Sequence, residues 1–281
     1  MGKDINLDVQ RVFGYRTFCN KMWNATRFAF INLQGFKPKS HDELPDMNTV
    51  SFMDKWILSR LNNAIKIANE SILAYDFYTH TNALYDFFLK ELCDVYLEAI
   101  KPIMYGDNSN EQAKRAAQIT LYTCLEQSYR LMHPAMPFIT EELWQRLPGR
   151  DLYPKNLESI MLNPYPAVQP NWTNADVESK TELVMEIVRK IRSIKAVYTI
   201  KQKPNVFIKC DAALSEDLSK QTLNIQTLAV CGEVKINDTI PEGCGVQIVN
   251  AQCEVHILLK GLINFAAELE KLQKQQQKIQ K

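Results

Sequence analysis

Gln10, Thr17, Lys21, Asn24 and Phe28 are spaced seven, four, three and four residues apart. On a helix of 3.6 residues per turn they fall within about 60° of one another. The stripe offers hydrogen-bonding groups, one cation and one ring on a polar side. That is the equipment for holding an unpaired nucleic-acid base, because every base has a π-face and polar edges. Almost opposite, the spacing gathers Val12, Tyr15, Cys19, Met22, Thr26, Ala29, Phe30 and Leu33, which are expected to face the core. A plainer role stays open: amphipathic helices carry stray aromatics, and Phe28 would then pack beneath a neighbouring helix.

Charge is distributed unevenly. Residues 1–39 hold Lys3, Arg11, Arg16, Lys21, Arg27, Lys37 and Lys39 against Asp4 and Asp8, while the whole chain carries a net charge of only +1. A nearly neutral protein with a basic, aromatic-bearing N-terminal segment is compatible with a local nucleic-acid surface and does not require one.

Other chemistry finds little material. There is no phosphate-loop glycine pattern, no dinucleotide fingerprint, no nucleophile elbow and no kinase signature set, and nine glycines leave few residues for phosphate-cradling loops. Glu141 and Glu142 stand together where a helix is expected to begin, a position that favours acids through the helix dipole, so they do not suggest catalysis. His41, His80, His133 and His256 are isolated from one another, which argues against a zinc site. The seven cysteines are odd in number and form no C-x-x-C pair, the pattern of reduced core thiols inside a cell. No apolar run is long enough to span a bilayer, and the start is not a signal peptide, so a soluble, non-membrane protein is expected.

These residues need helices to position them. The periodicity predicts helices over 5–34, 51–74 and 78–104. A further one, running to Met132, is expected to start from a capping box at Ser109 and Gln112, and Thr140 is expected to cap a short helix through Leu147. Five prolines between Pro148 and Pro170 mark a connector. Beyond it a helix over 175–197 and another over 214–228 alternate with strands at 206–210, 233–236, 245–250 and 254–259. From Asn264 the spacing of Phe265, Leu269, Leu272 and Ile279 reads as the opening of a coiled coil. The expected fold is therefore mainly α. An antiparallel helical bundle over 1–147 leads through a linker over 148–170 to a small α+β domain over 171–263, then to the beginning of a coiled-coil helix over 264–281.

The run from Gly14 to Phe28, Gly-Tyr-Arg-Thr-Phe-Cys-Asn-Lys-Met-Trp-Asn-Ala-Thr-Arg-Phe, resembles the anticodon-binding region of the valyl-tRNA synthetase family, within the class I aminoacyl-tRNA synthetases. Ala74 to Phe77, Glu91 to Glu98, His133 to Trp144 and Gly261 to Asn264 resemble the same family in the same order. The H-I-G-H and K-M-S-K-S signatures of a catalytic core and the sequence of an editing domain are missing. The resemblance thus implies a C-terminal portion that begins after the core, stops inside the coiled-coil arm and is inactive alone. The parent would join valine to its tRNA, with ATP and Mg bound by the core and no cofactor in this portion.

The resemblance further implies that Phe28 stacks on an anticodon base, while Lys21 and Asn24 donate to a base edge or a phosphate. Gln10 and Thr17 extend the surface, and Arg16, Asn20 and Arg27 contact phosphates or brace neighbouring helices. A second run, Arg189, Lys190, Arg192, Lys195, Lys201 and Lys203, contains no acid between its ends. It is either a solvated helix face or a set of phosphate contacts to tRNA. Expected partners are tRNA(Val), the catalytic and editing domains of the same polypeptide, and other proteins of a multi-synthetase assembly. The default compartment is the cytoplasm, with a mitochondrial form left open. The matching domain of the isoleucyl or leucyl enzyme is the nearest alternative; a helical and coiled-coil protein-interaction module without RNA binding is the alternative of another kind.

Overall fold

In the computed structural model, residues 8–106 and 110–263 are described, and the chain forms two compact units that divide between Glu178 and Ser179. The Asp8 carboxylate accepts from Gln10 N at 2.9 Å and opens α1, Val9–Asn32. A carboxylate there satisfies an amide that has no partner within the helix. The helix expected from residue 5 starts at Val9 among the described residues; residues 5–7 lie outside the described part. Helix α2, Phe52–Leu73, starts from a complete capping box. The Ser51 hydroxyl accepts from Asp54 N at 3.2 Å, and the Asp54 carboxylate accepts from Ser51 N at 2.8 Å.

The single helix expected over 78–104 is broken. Helix α3, Phe77–Tyr85, leads into a π-helical stretch, Asp86–Tyr96, then a single turn α4, Leu97–Ala99, and α5, Lys101–Tyr105. The looser winding lets Phe87, Phe88, Leu89, Leu92, Val95 and Tyr96 all be buried, more than one face of a regular helix would place inside. The break at Ile100 precedes Pro102, whose ring cannot sit within a continuous helix.

Helix α6, Glu111–Met132, is capped by Asn110, whose side chain accepts from Gln112 N at 2.9 Å. Ser109, expected in that role, lies outside the described residues. Helix α7, Pro137–Gln145, begins with proline at its first position, where the missing N–H costs nothing. Thr140 is inside this helix and does not cap it. Its hydroxyl donates to Met136 O at 2.8 Å and lies 2.7 Å from His133 Nδ1.

The centre of this unit is α6, buried along nearly its whole length from Ala116 to Tyr129. Its Glu126 carboxylate accepts from Trp144 Nε1 at 3.1 Å and pairs with Arg130 at 2.8 Å, so a buried charge is compensated. The Arg150 guanidinium lies 3.8 Å from the ring centres of both Trp144 and Tyr153.

The proline-rich segment is not a free connector. It makes short 3-10 turns at Arg150–Leu152, Lys155–Leu157 and Ile160–Leu162 and lies along the bundle. Tyr165 donates to Leu131 O at 2.9 Å, and Asn69 and Asn62 donate to Pro166 O and Gln169 O, each at 2.9 Å. The prolines forbid helical hydrogen bonds, and the carbonyls left over are taken by side chains of the bundle. The first unit accordingly runs past residues 147 and 170 to Glu178, which accepts from Arg60 at 2.9 Å.

Helix α8, Ala175–Val197, starts at the end of the first unit and continues in the second. There the sheet has the order β2-β1-β4-β3, built from β1 Val206–Cys210, β2 Val234–Ile236, β3 Cys244–Asn250 and β4 Cys253–Leu258. Strand β1 is parallel to β2 and antiparallel to β4, and β3 is antiparallel to β4. Val206, Ile208, Val255 and Ile257 share one buried face. The helix expected over 214–228 is two, α9 Ala212–Lys220 and α10 Thr222–Ala229, interrupted at Gln221. The coiled coil expected over 264–281 lies outside the described residues.

Candidate nucleic-acid interface

The buried residues of helix α1 all lie in its C-terminal half. Met22, Ala25, Thr26, Ala29 and Asn32 are buried, whereas Val9, Val12, Phe13 and Tyr15 are at least half exposed. Thr26 shares a hydrogen bond with the Tyr129 hydroxyl of α6, and Gln118 donates to Asn32 O at 2.8 Å. Phe18 adds ring contacts to Tyr85 and Phe88, with centroids 5.0 and 6.3 Å apart. The apolar face expected from spacing is therefore half right. Met22, Thr26, Ala29 and Leu33 are buried, but Val12 and Tyr15 face solvent, with Tyr15 70% exposed.

Gln10, Thr17, Lys21 and Asn24 are exposed, as are the flanking Arg16, Asn20 and Arg27. Phe28 is half-buried, with Lys101 Nζ 5.8 Å from its ring centre. Among the described residues Arg16, Lys21 and Arg27 have no carboxylate partner. Elsewhere in the unit Arg60, Lys90, Lys101, Arg115, Arg130 and Arg146 are each paired with an acid. Among the described residues α1 thus presents three exposed cations that no ion pair engages. Lys21 also opposes the effect of burial on the Cys93 thiol, which burial and Asp94 push up to about 12.

The stripe is not one continuous site. Thr17 and Lys21, together with Arg11, Gly14, Tyr15 and Phe18, line a cleft of about 580 Å³ whose other wall is Tyr78, Thr81, Asn82 and Tyr85 of α3. Asn24 and Phe28 lie further along α1 and do not line it. Tyr78, 79% exposed, and Tyr15 are aromatic surfaces that periodicity on α1 did not identify as site residues. The available signal was the aromatic run Tyr75-Asp76-Phe77-Tyr78 around a helix cap. Asp76 accepts from Thr79 N at 3.0 Å, which leaves the neighbouring rings outside.

In the second unit the basic run divides. Arg192 donates through Nε and Nη2 to Leu228 O at 3.1 and 2.6 Å, and Lys195 donates to Val230 O, so both serve the carbonyl end of α10. Cations there complement the helix dipole. Burial, with Arg192 and Lys203 nearby, holds the Lys195 ammonium below its ordinary pKa. Arg189, Lys201 and Lys203 are exposed and Lys190 is half-buried. Among the described residues no three or more His, Cys, Asp or Glu are grouped to hold a metal ion, and no helix is long and apolar enough to cross a membrane.

Residues 54–210 match the family described as the anticodon-binding domain of tRNA ligase. Over 293 residues the chain is 42% identical to a valine–tRNA ligase of Mus musculus, covering all of this chain and 22% of that protein. It is 38% identical over 286 residues to a valine–tRNA ligase of Geobacter sulfurreducens, covering all of this chain and 31% of that one. A mitochondrial valine–tRNA ligase of Saccharomyces cerevisiae is 36% identical over 286 residues, again across the whole chain and 25% of the relative. The chain spans between about a fifth and a third of the length of these curated relatives. With an expected helical bundle, the observed mainly helical fold and this match in agreement, the chain belongs to the family of anticodon-binding domains of tRNA ligases.

Proposed function

We propose that this chain is the tRNA-recognition portion of a valine–tRNA ligase and grips the anticodon stem-loop of tRNA(Val). The observation that carries the reading is the exposed surface of α1: three cations with no ion pair among the described residues, next to a tyrosine-walled cleft and the Phe28 ring. RNA phosphates supply the missing negative charge, and unstacked bases supply faces for the rings. Phe28 stacks on a base, Lys21 and Asn24 donate to a base edge or phosphate, and Gln10 and Thr17 widen the contact. Arg16, Asn20 and Arg27 meet phosphates on the flank. Arg189, Lys190, Lys201 and Lys203 make further phosphate contacts, with Arg192 and Lys195 committed first to α10.

Joining valine to tRNA is then performed by a catalytic core of the parent polypeptide, which holds ATP and Mg and is accompanied by an editing domain. Other synthetases of an assembly are proposed protein partners, and the cytoplasm is the proposed compartment.

Titration of a labelled tRNA(Val) anticodon stem-loop at several salt concentrations tests the reading. Tight, salt-sensitive binding that weakens when the anticodon is changed is expected. Equal affinity for the isoleucine and leucine stem-loops would overturn the valine assignment, and indifference to all three would overturn RNA recognition.

A further inference from the structure

Cys210 at the end of β1 and Cys253 at the start of β4 stand directly opposite each other across the antiparallel ladder. Their backbone hydrogen bonds point away from one another. Val206 N donates to Glu233 O and Asn237 N donates to Ile208 O, so alternate residues of β1 turn towards β2. Cys210 follows that alternation: its N donates to Asn237 Oδ1 at 2.9 Å, and its O accepts from Asn237 Nδ2 at 3.0 Å. The next residue, Asp211, donates across the ladder to Gln252 O at 3.1 Å. Cys210 and Cys253 are therefore a non-hydrogen-bonded pair, the class with Cα atoms about 4.5 Å apart and side chains closest. That spacing falls inside the roughly 4.4–6.8 Å that a disulfide requires.

The strand alternation puts both thiols on the face that carries Ile208 and Val255. Cys253 is buried and Cys210 half-buried, and both line a cavity of about 390 Å³ with Asp211, Asn250 and Gln252. Among the described residues no other two cysteines are opposed in the sheet.

We propose that Cys210 and Cys253 form a dithiol site that closes to a cross-strand disulfide by exchange with a small-molecule disulfide such as oxidised glutathione. The more exposed Cys210 gives up its proton and its thiolate attacks one glutathione sulfur. A Cys210–glutathione bond forms and one glutathione thiolate leaves. The Cys253 thiolate then attacks the Cys210 sulfur and releases the second glutathione. Two protein thiols are oxidised by two electrons in all, and one glutathione disulfide is reduced to two thiols. Burial raises the pKa of both thiols, Cys253 to about 11, so closure is slow near neutrality and quickens with pH.

The test treats the whole chain with oxidised glutathione and maps its peptides by mass spectrometry. One peptide pair joined through Cys210 and Cys253 is expected, with two of the seven thiols lost and a closing rate rising by about tenfold per pH unit while the attacking thiol is mostly protonated. Cys210→Ser should abolish the joined pair, and Cys253→Ala should leave a lasting glutathione adduct on Cys210. The proposal is overturned if wild-type Cys210 keeps its adduct while Cys253 stays free, if another cysteine makes the bond, if the rate ignores pH, or if neither thiol reacts. Because Cys210 is half-buried, its variant keeps the test valid should the buried Cys253→Ala fail to fold.

Discussion

Lys101 Nζ lies 5.8 Å from the centre of the Phe28 ring while the Glu98 carboxylate accepts from the same ammonium at 2.7 Å. The ring at the centre of the proposed base contact thus has beside it a cation that is itself paired with an acid. Phe28→Ala should weaken anticodon stem-loop binding by about 1–3 kcal/mol, the usual worth of one base–aromatic stack. Anisotropy titration checks this, with thermal unfolding run in parallel. A folded variant with unchanged affinity would remove Phe28 from the interface.

Lys21 has no carboxylate partner among the described residues, whereas Lys90 is paired with Asp86 at 2.8 Å. Each phosphate neutralised adds about one unit to the salt slope of binding. Lys21→Ala should therefore lower that slope by about one unit, and Lys90→Ala should leave it in place. Equal slopes for the two variants and the wild type would count against a phosphate at Lys21.

Arg192 makes two hydrogen bonds to Leu228 O at the end of α10. Hydrogen bonds from charged donors are worth about 1.5–3 kcal/mol in total when the acceptor is left unpaired. Arg192→Ala should destabilise the second unit by about that amount in urea unfolding and should speed amide exchange in α10. Arg189→Ala, at an exposed position, should leave stability within about 0.5 kcal/mol. Its effect should appear as weaker RNA binding.

Tyr129→Phe removes the hydroxyl that meets Thr26, while Thr26 still donates to Met22 O at 2.8 Å. A loss of about 1 kcal/mol is expected, with faster amide exchange along the second half of α1. If exchange in α1 is unaffected, the helix is anchored by other contacts, such as the bond from Gln118 to Asn32 O.

Elements with strong local signals were legible before any coordinates. The apolar periodicity over 51–74 specified α2, and the alternation over 254–259 specified β4, because side-chain period acts within a few residues. The stripe on α1 was legible for the same reason. What escaped was set by neighbours distant in sequence. Spacing could not show that α1 is uncovered before Phe18, which exposes Tyr15, or that α3 brings Tyr78 across from it. Nor could it show that Asn62 and Asn69 bind the proline-rich segment to the bundle. By itself the sequence determined where helical and strand segments lie and the positive, aromatic character of α1, though not the breaks within 77–105 and at Gln221, since propensity and periodicity are local. Only the tertiary structure decided which of those groups share a cleft, which cations are committed to a helix end and which two cysteines face each other, because packing joins residues that no local pattern relates.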